Sequence, residues 1–140
     1  MTQLSPLTAK KLTPNLIVSS VEASLSFYED VLGFTRGMTV PEQPPFVFAS
    51  VTSGPVEIFF NDRSTVAKES QQFAGRAMGG GNTMFIELEG GIGVDALHDR
   101  IRPRAKILIP PVTQWYGLRE LALEDPDGYV ITFAEAVKKP

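Results

Sequence analysis

Trp115-Tyr116-Gly117-Leu118-Arg119-Glu120-Leu121-Ala122-Leu123-Glu124-Asp125-Pro126-Asp127-Gly128-Tyr129-Val130-Ile131-Thr132-Phe133 reads as a strand, a rigid turn and a returning strand. In Asp125-Pro126-Asp127-Gly128, proline presets one backbone dihedral, the aspartates offer acceptors to nearby amides, and glycine tolerates a positive φ. The flanks alternate: Leu121 and Leu123 share one face before the turn, and Tyr129, Ile131 and Phe133 share one after it. Thr132 therefore looks out from the opposite side.

Upstream of this hairpin, the chain falls into two similar halves. Met1 to Lys11 is a polar arm, and Leu12 to Val18 is apolar enough for a strand. Ser19-Ser20-Val21-Glu22 has the pattern of a capping box, so a helix should follow and run to Leu32, with Gly33 as its left-handed cap. Leu25, Tyr28 and Leu32 lie on one face of that helix. Phe34 to Val40 is a candidate strand, Pro41 to Pro45 a turn, and Phe46 to Val51 with Pro55 to Phe60 a hairpin. Asn61 to Gly81 is polar, ends in Gly79-Gly80-Gly81, and reads as a linker with room for one helical turn. Beyond it, Thr83 to Leu88, a helix over Val94 to Ile101, and Ala105 to Ile109 stopped by Pro110-Pro111 lead into the opening hairpin. The expectation is an α+β fold of tandem βαβββ modules, residues 12–60 and 82–135 around a 61–81 linker, in a single domain.

Composition narrows the chemistry. With 140 residues and 43% hydrophobic content, the chain can bury a core without covalent staples. It has no cysteine, which excludes disulfides, thiolate metal sites and thiol nucleophiles. No segment has the form of a signal peptide, and no apolar run approaches the roughly 20 residues needed to cross a bilayer. A cytoplasmic protein with no membrane partner is the expectation. The net charge is -3 and the basic residues are scattered, with Lys10-Lys11 and Lys138-Lys139 as the pairs, so nucleic acid is an unlikely partner. The single histidine, His98, falls on the short helix away from its apolar stripe and reads as solvent-facing.

Two segments carry a family resemblance: Val18-Ser19-Ser20-Val21-Glu22-Ala23-Ser24-Leu25-Ser26-Phe27-Tyr28-Glu29-Asp30-Val31-Leu32-Gly33-Phe34 and Asp125-Pro126-Asp127-Gly128-Tyr129. Spaced as they are around a βαβββ duplication, they make the chain resemble the vicinal oxygen chelate superfamily. That superfamily includes glyoxalase I, extradiol dioxygenases, fosfomycin-modifying enzymes and bleomycin resistance proteins. The resemblance implies a curved mixed sheet around a cleft. In metal-dependent members it implies a divalent ion held by the first and last strands of each module. The ligand positions fall here on Thr13, Asn82 and Thr132, which are poor ligands for zinc, nickel or iron; Glu57 alone matches. The resemblance is closest to the bleomycin resistance branch, which implies a homodimer with no metal and no cofactor.

The candidate site follows from these positions. Trp115 and Tyr116 could stack on a planar ligand, and Arg119 could pair with a ligand carboxylate or phosphate, although Arg119 also has Glu120 and Glu124 nearby. Alternation places Phe46 with Phe48, and Glu57 with Phe59, while Phe60 points away. The expected ligand-binding set is therefore Phe46, Phe48, Glu57, Phe59, Trp115, Tyr116, Arg119 and Thr132. Three functions remain open: a metal-free binder that sequesters an aromatic or cationic compound, a metal-independent isomerase, lyase or transferase with Glu57 as base, and a noncatalytic homologue with a filled cleft. The missing ligands speak against glyoxalase I and ring-cleaving dioxygenase activity.

Overall fold

The computed structural model describes residues 5–137. Residues 1–4 of the expected arm and the Lys138-Lys139 pair lie outside this range. The first module holds β1 (Asn15–Val18), α1 (Val21–Ser26) with a wider final turn over Phe27–Val31, β2 (Thr35–Val40), β3 (Phe48–Ser53) and β4 (Val56–Asp62). A short helix α2 (Arg63–Glu69) follows, capped by the Asp62 side chain. The second module holds β5 (Thr83–Glu87), α3 (Val94–Ile101), β6 (Lys106–Thr113), β7 (Leu118–Glu124) and β8 (Val130–Ala136). Each module makes its own mixed four-stranded sheet, in the orders β1-β4-β3-β2 and β5-β8-β7-β6.

Local chemistry explains the boundaries. Ser20 caps α1, its Oγ accepting from the Ala23 amide at 3.1 Å. Glu22 does not complete a capping box. Its carboxylate instead accepts from the Phe46 amide at 2.5 Å, tying the proline-rich turn to the helix. That tether corrects the expected pairing of Phe46 with Phe48: β3 starts only at Phe48, and Phe46 is buried in the core. At the helix end, Gly33 takes φ +85 and Phe34 donates its amide to the Tyr28 carbonyl at 2.8 Å. The first strand begins at Asn15 rather than Leu12, since Pro14 has no amide to donate and joins the ladder only through its carbonyl, which accepts from Phe59. Strand β6 continues through Pro110-Pro111 instead of stopping before them. It can, because it is an edge strand with register breaks around both prolines.

One face of each sheet is covered and the other is open. In the first, Ala49, Val51, Ile58 and Phe60 lie under α1, whose Tyr28 ring sits 4.9 Å from that of Phe60. In the second, Leu121 pairs with Phe133 and Leu123 with Ile131 on the covered side, as the alternation predicts, while Thr132 pairs with Ala122 on the open side. Val94, Leu97 and Ile101 of α3 join the same core cluster as Leu25 and Tyr28 of α1, so the two modules share one interior.

The modules are fastened at the Asp125-Pro126-Asp127-Gly128 turn. Tyr28 donates its buried hydroxyl to Asp125 Oδ2 at 2.8 Å. Asp125 Oδ1 accepts from the amides of Asp127 and Tyr129, both at 2.9 Å. Tyr129 in turn donates its hydroxyl to the Ile17 carbonyl at 2.6 Å, and Asp127 Oδ2 accepts from the Ser19 amide at 3.2 Å. Burial pushes the Tyr28 phenol up, and the charge of Asp125 adds to the effect. Burial also pushes the Asp125 carboxyl up, with the hydrogen bonds from Tyr28 and the turn amides offsetting part of it. Gly79 packs against this turn so closely that a Cβ there would lie 2.3 Å from the Gly128 carbonyl oxygen. On the other side, Arg100 and Arg104 donate to the Leu32 and Asp30 carbonyls at the end of the first helix, both at 3.1 Å.

Two stability measurements test this fastening by chemical denaturation. Tyr28→Phe leaves a buried Asp125 oxygen without its donor and is expected to cost about 1–3 kcal/mol. Gly79→Ala meets both the Gly128 carbonyl and a φ of +72, so it should cost clearly more than Gly80→Ala, where φ is +71 but nothing lies within 4 Å.

Candidate functional site

The seam between the two sheets holds a cavity of about 690 Å³, lined by residues of β1 and β4 on one side and of β5 and the start of β8 on the other. Its walls are largely apolar, with Ile17, Val56, Met84 and Ile86 among them, and Asn15, Asn82 and Thr83 add polar atoms. Two charged side chains, Lys11 and Glu57, face it among the described residues, and they form an ion pair at 2.6 Å. Register explains how Glu57 gets there. β4 runs between β1 and β3, with Ile58 and Phe60 turned into the core, so Glu57 and Phe59 are left on the open side.

The expected site residues separate into several places. Glu57 and Asn82 both line the seam cavity. Thr132 lies beside it: its hydroxyl is 2.8 Å from that of Thr83, which does line the cavity. Thr13 precedes β1 and is not part of the lining. Phe48 and Phe59 meet edge to face on the open side of the first sheet, with ring centroids 5.2 Å apart. Phe46 is in the core and contributes nothing to either surface. Trp115 and Tyr116 stand together at the tip of the β6–β7 hairpin, 92% and 49% exposed. Tyr116 donates to Glu120, which pushes its phenol up. His98 is half-buried on α3 and does not line the seam cavity.

Arg119 is the clearest departure from expectation. Paired with Glu135 across β7 and β8, it lies on the covered side of the sheet, opposite to Thr132. There its guanidinium grips Asp95 of α3 through two hydrogen bonds of 2.9 Å and reaches Thr113 Oγ1 at 3.0 Å. Glu135 meanwhile accepts from the Val94 amide at 3.0 Å, supplying the cap that Gly93 lacks. These contacts dock α3 onto its sheet. They leave Arg119 no free fork for a ligand.

The sequence reading overlooked Lys11, Asn15, Thr83 and Phe85 as cavity residues. Thr83 and Phe85 were recoverable, because β5 runs parallel to β8 with Phe85 opposite Thr132, which places both on the open side. Lys11 carried no such signal, since it sits in an arm without periodicity.

A model of the glyoxalase/bleomycin resistance protein/dioxygenase superfamily matches residues 10–133. The chain belongs to this superfamily. Bleomycin resistance proteins of Geobacillus stearothermophilus and Staphylococcus aureus are each 30% identical to it over 138 residues, 89% of this chain and 96% of theirs. The crystal structure of a glyoxalase/bleomycin resistance protein/dioxygenase from Nocardioides shares the fold with a TM-score of 0.72 at 20% identity, over 99% of this chain and 89% of that one.

Within the superfamily, a metal would draw on the positions held here by Thr13, Asn82, Thr132 and Glu57. These residues do not fit a transition metal: they supply one carboxylate, already paired with Lys11, and no imidazole or thiolate. Among the described residues, no three of His, Cys, Asp and Glu come together in a way that could hold an ion.

The role assigned to Arg119 is checked by acid titration of stability. The hydrogen bond from Arg119 holds the Asp95 carboxyl below its ordinary value of 3.8. Its contribution to folding is therefore complete above that value and is lost as pH falls through the lowered one. Arg119→Ala should remove that acid-side loss and speed amide exchange along α3, while leaving ligand affinity at the seam unchanged.

Proposed function

We propose that this chain is a metal-free small-molecule-binding protein that sequesters an aromatic or cationic compound, an antibiotic being one such class, and returns it unchanged. The observation that carries the reading is the seam cavity itself: at about 690 Å³ it suits a small organic ligand, and its walls are mostly apolar with a few polar groups. An open cavity of that size also speaks against a filled-cleft homologue. The similarity to bleomycin resistance proteins points the same way.

We read the working form as a cytoplasmic homodimer. Val40, Phe85, Ile109 and Val112 are between 39% and 52% exposed, on sheet faces that no helix covers. Exposed apolar surface of this kind is what a second subunit would bury. A dimer would also bring a neighbour's residues toward the open side where Phe48 and Phe59 meet. No helix among the described residues is long and apolar enough to cross a membrane.

A thermal-shift screen with drugs, thiol conjugates and aromatic acids tests the binding reading, because a ligand at a hundredfold excess over its Kd stabilises the fold by about 2.7 kcal/mol. The expected result is at least one saturable hit recovered chemically intact. Turnover that disappears in Glu57→Gln would instead establish an enzyme. Stoichiometric nickel, zinc or iron in the purified protein would overturn the metal-free reading, and sedimentation at protomer mass at micromolar concentration would overturn the dimer.

A further inference from the structure

We infer that the seam cavity selects an organic cation, a quaternary or protonated amine on an apolar body, and that Lys11 holds the cation's place until such a ligand displaces it. This rests on the binding reading above and names the ligand chemistry of that same cavity. The Lys11 ammonium lies 2.6 Å from Glu57 Oε1, and these two groups are the charged lining of the cavity among the described residues. The cavity thus already holds a cation against its one carboxylate, supplied by its own chain.

The two partners are not equally replaceable. Glu57 belongs to β4, which is hydrogen-bonded to β1 on one side and β3 on the other, so its carboxylate is fixed by the sheet. Lys11 sits in an arm without helix or strand. Among the described residues before Pro14, the bond to Glu57 is the arm's one side-chain hydrogen bond. With its side chain half in solvent, at 50% exposure, Lys11 can swing into water on its flexible stem and remain hydrated there. Glu57, at 25% exposure, cannot follow it out.

That asymmetry decides the sign of the ligand. An anion would have to recruit Lys11 and leave Glu57 unpaired in a partly buried site, which is unfavourable. A cation takes the Glu57 side of the pair and releases Lys11 to solvent, so no charge is left unmatched. The half-exposed Phe85 ring lines the same cavity and offers a π face to the incoming cation. Ile17, Val56, Met84 and Ile86 receive the apolar body. Since Lys11 is already half in solvent and a cation replaces it at Glu57, displacing Lys11 costs binding little.

Isothermal titration calorimetry with phenyltrimethylammonium and its neutral isostere tert-butylbenzene tests the inference. Wild type should prefer the cation. Lys11→Ala should tighten cation binding by about twofold to fivefold, the range of an exposed ion pair, and leave the isostere unaffected. Glu57→Gln should weaken cation binding by about tenfold or more, and in that background Lys11→Ala should bring no further gain. Thermal melts of each variant confirm that the fold is intact. Equal affinity for cation and isostere, unmoved by either substitution, overturns the cation assignment while leaving small-molecule binding standing. Saturable binding of neither compound, to wild type or to Lys11→Ala, overturns the assignment, and the screen described above then judges the binding reading separately.

Discussion

The hydrogen bond from Tyr28 to Asp125 is the constraint on which the rest of the structure depends. It joins the first module's helix to the second module's last turn, and it does so inside the protein, where neither group has water to fall back on. The turn is built around the same carboxylate, whose other oxygen organises the amides of Asp127 and Tyr129. A single side chain thus shapes a hairpin and anchors it. Tyr129 and Asp127 then reach back to the backbone of Ile17 and Ser19, at the end of β1. The relative position of β1 and β5, and with it the seam between the sheets, is a consequence of these contacts.

The seam is where the chain's chemistry collects. Two edge strands, β1 and β5, face a common space without pairing to each other, and consecutive residues of both line it. At positions where metal-dependent members of the superfamily place ligands, this chain has two threonines, an asparagine and a glutamate committed to a lysine. In the function proposed above, the Glu57 carboxylate among largely apolar walls is the recognition element for a positively charged ligand.

Much of this was legible from residue order. Period-2 alternation around Asp125-Pro126-Asp127-Gly128 gave the correct faces for Leu121, Leu123, Ile131, Phe133 and Thr132, and the bounds of α3 came out at Val94 and Ile101. Of the positions that the resemblance singles out, Glu57 and Asn82 line the seam cavity. The failures have separate physical causes. Arg119 stands two positions before Leu121, so alternation already put it on the covered side; what hid its role was Asp95, 24 residues away and brought near only by the packing of α3. Phe46 was misplaced because a glutamate from α1 seized its amide and delayed the strand. Lys11 was invisible because an arm without periodicity carries no directional information. In each case the deciding partner was distant in sequence, and local pattern cannot report it.

The outermost strands of the two sheets have a further effect. Both β2 and β6 carry breaks in register, and β6 has consecutive prolines in its middle. A strand approaching from outside would find an irregular row of donors and acceptors, interrupted where proline offers no amide at all. Edge-to-edge polymerisation is therefore discouraged at both flanks, although the sheet faces carry exposed apolar side chains. Any association through the sheets is thereby left to the faces, where it can be finite, and kept from the edges, where it would propagate into fibres.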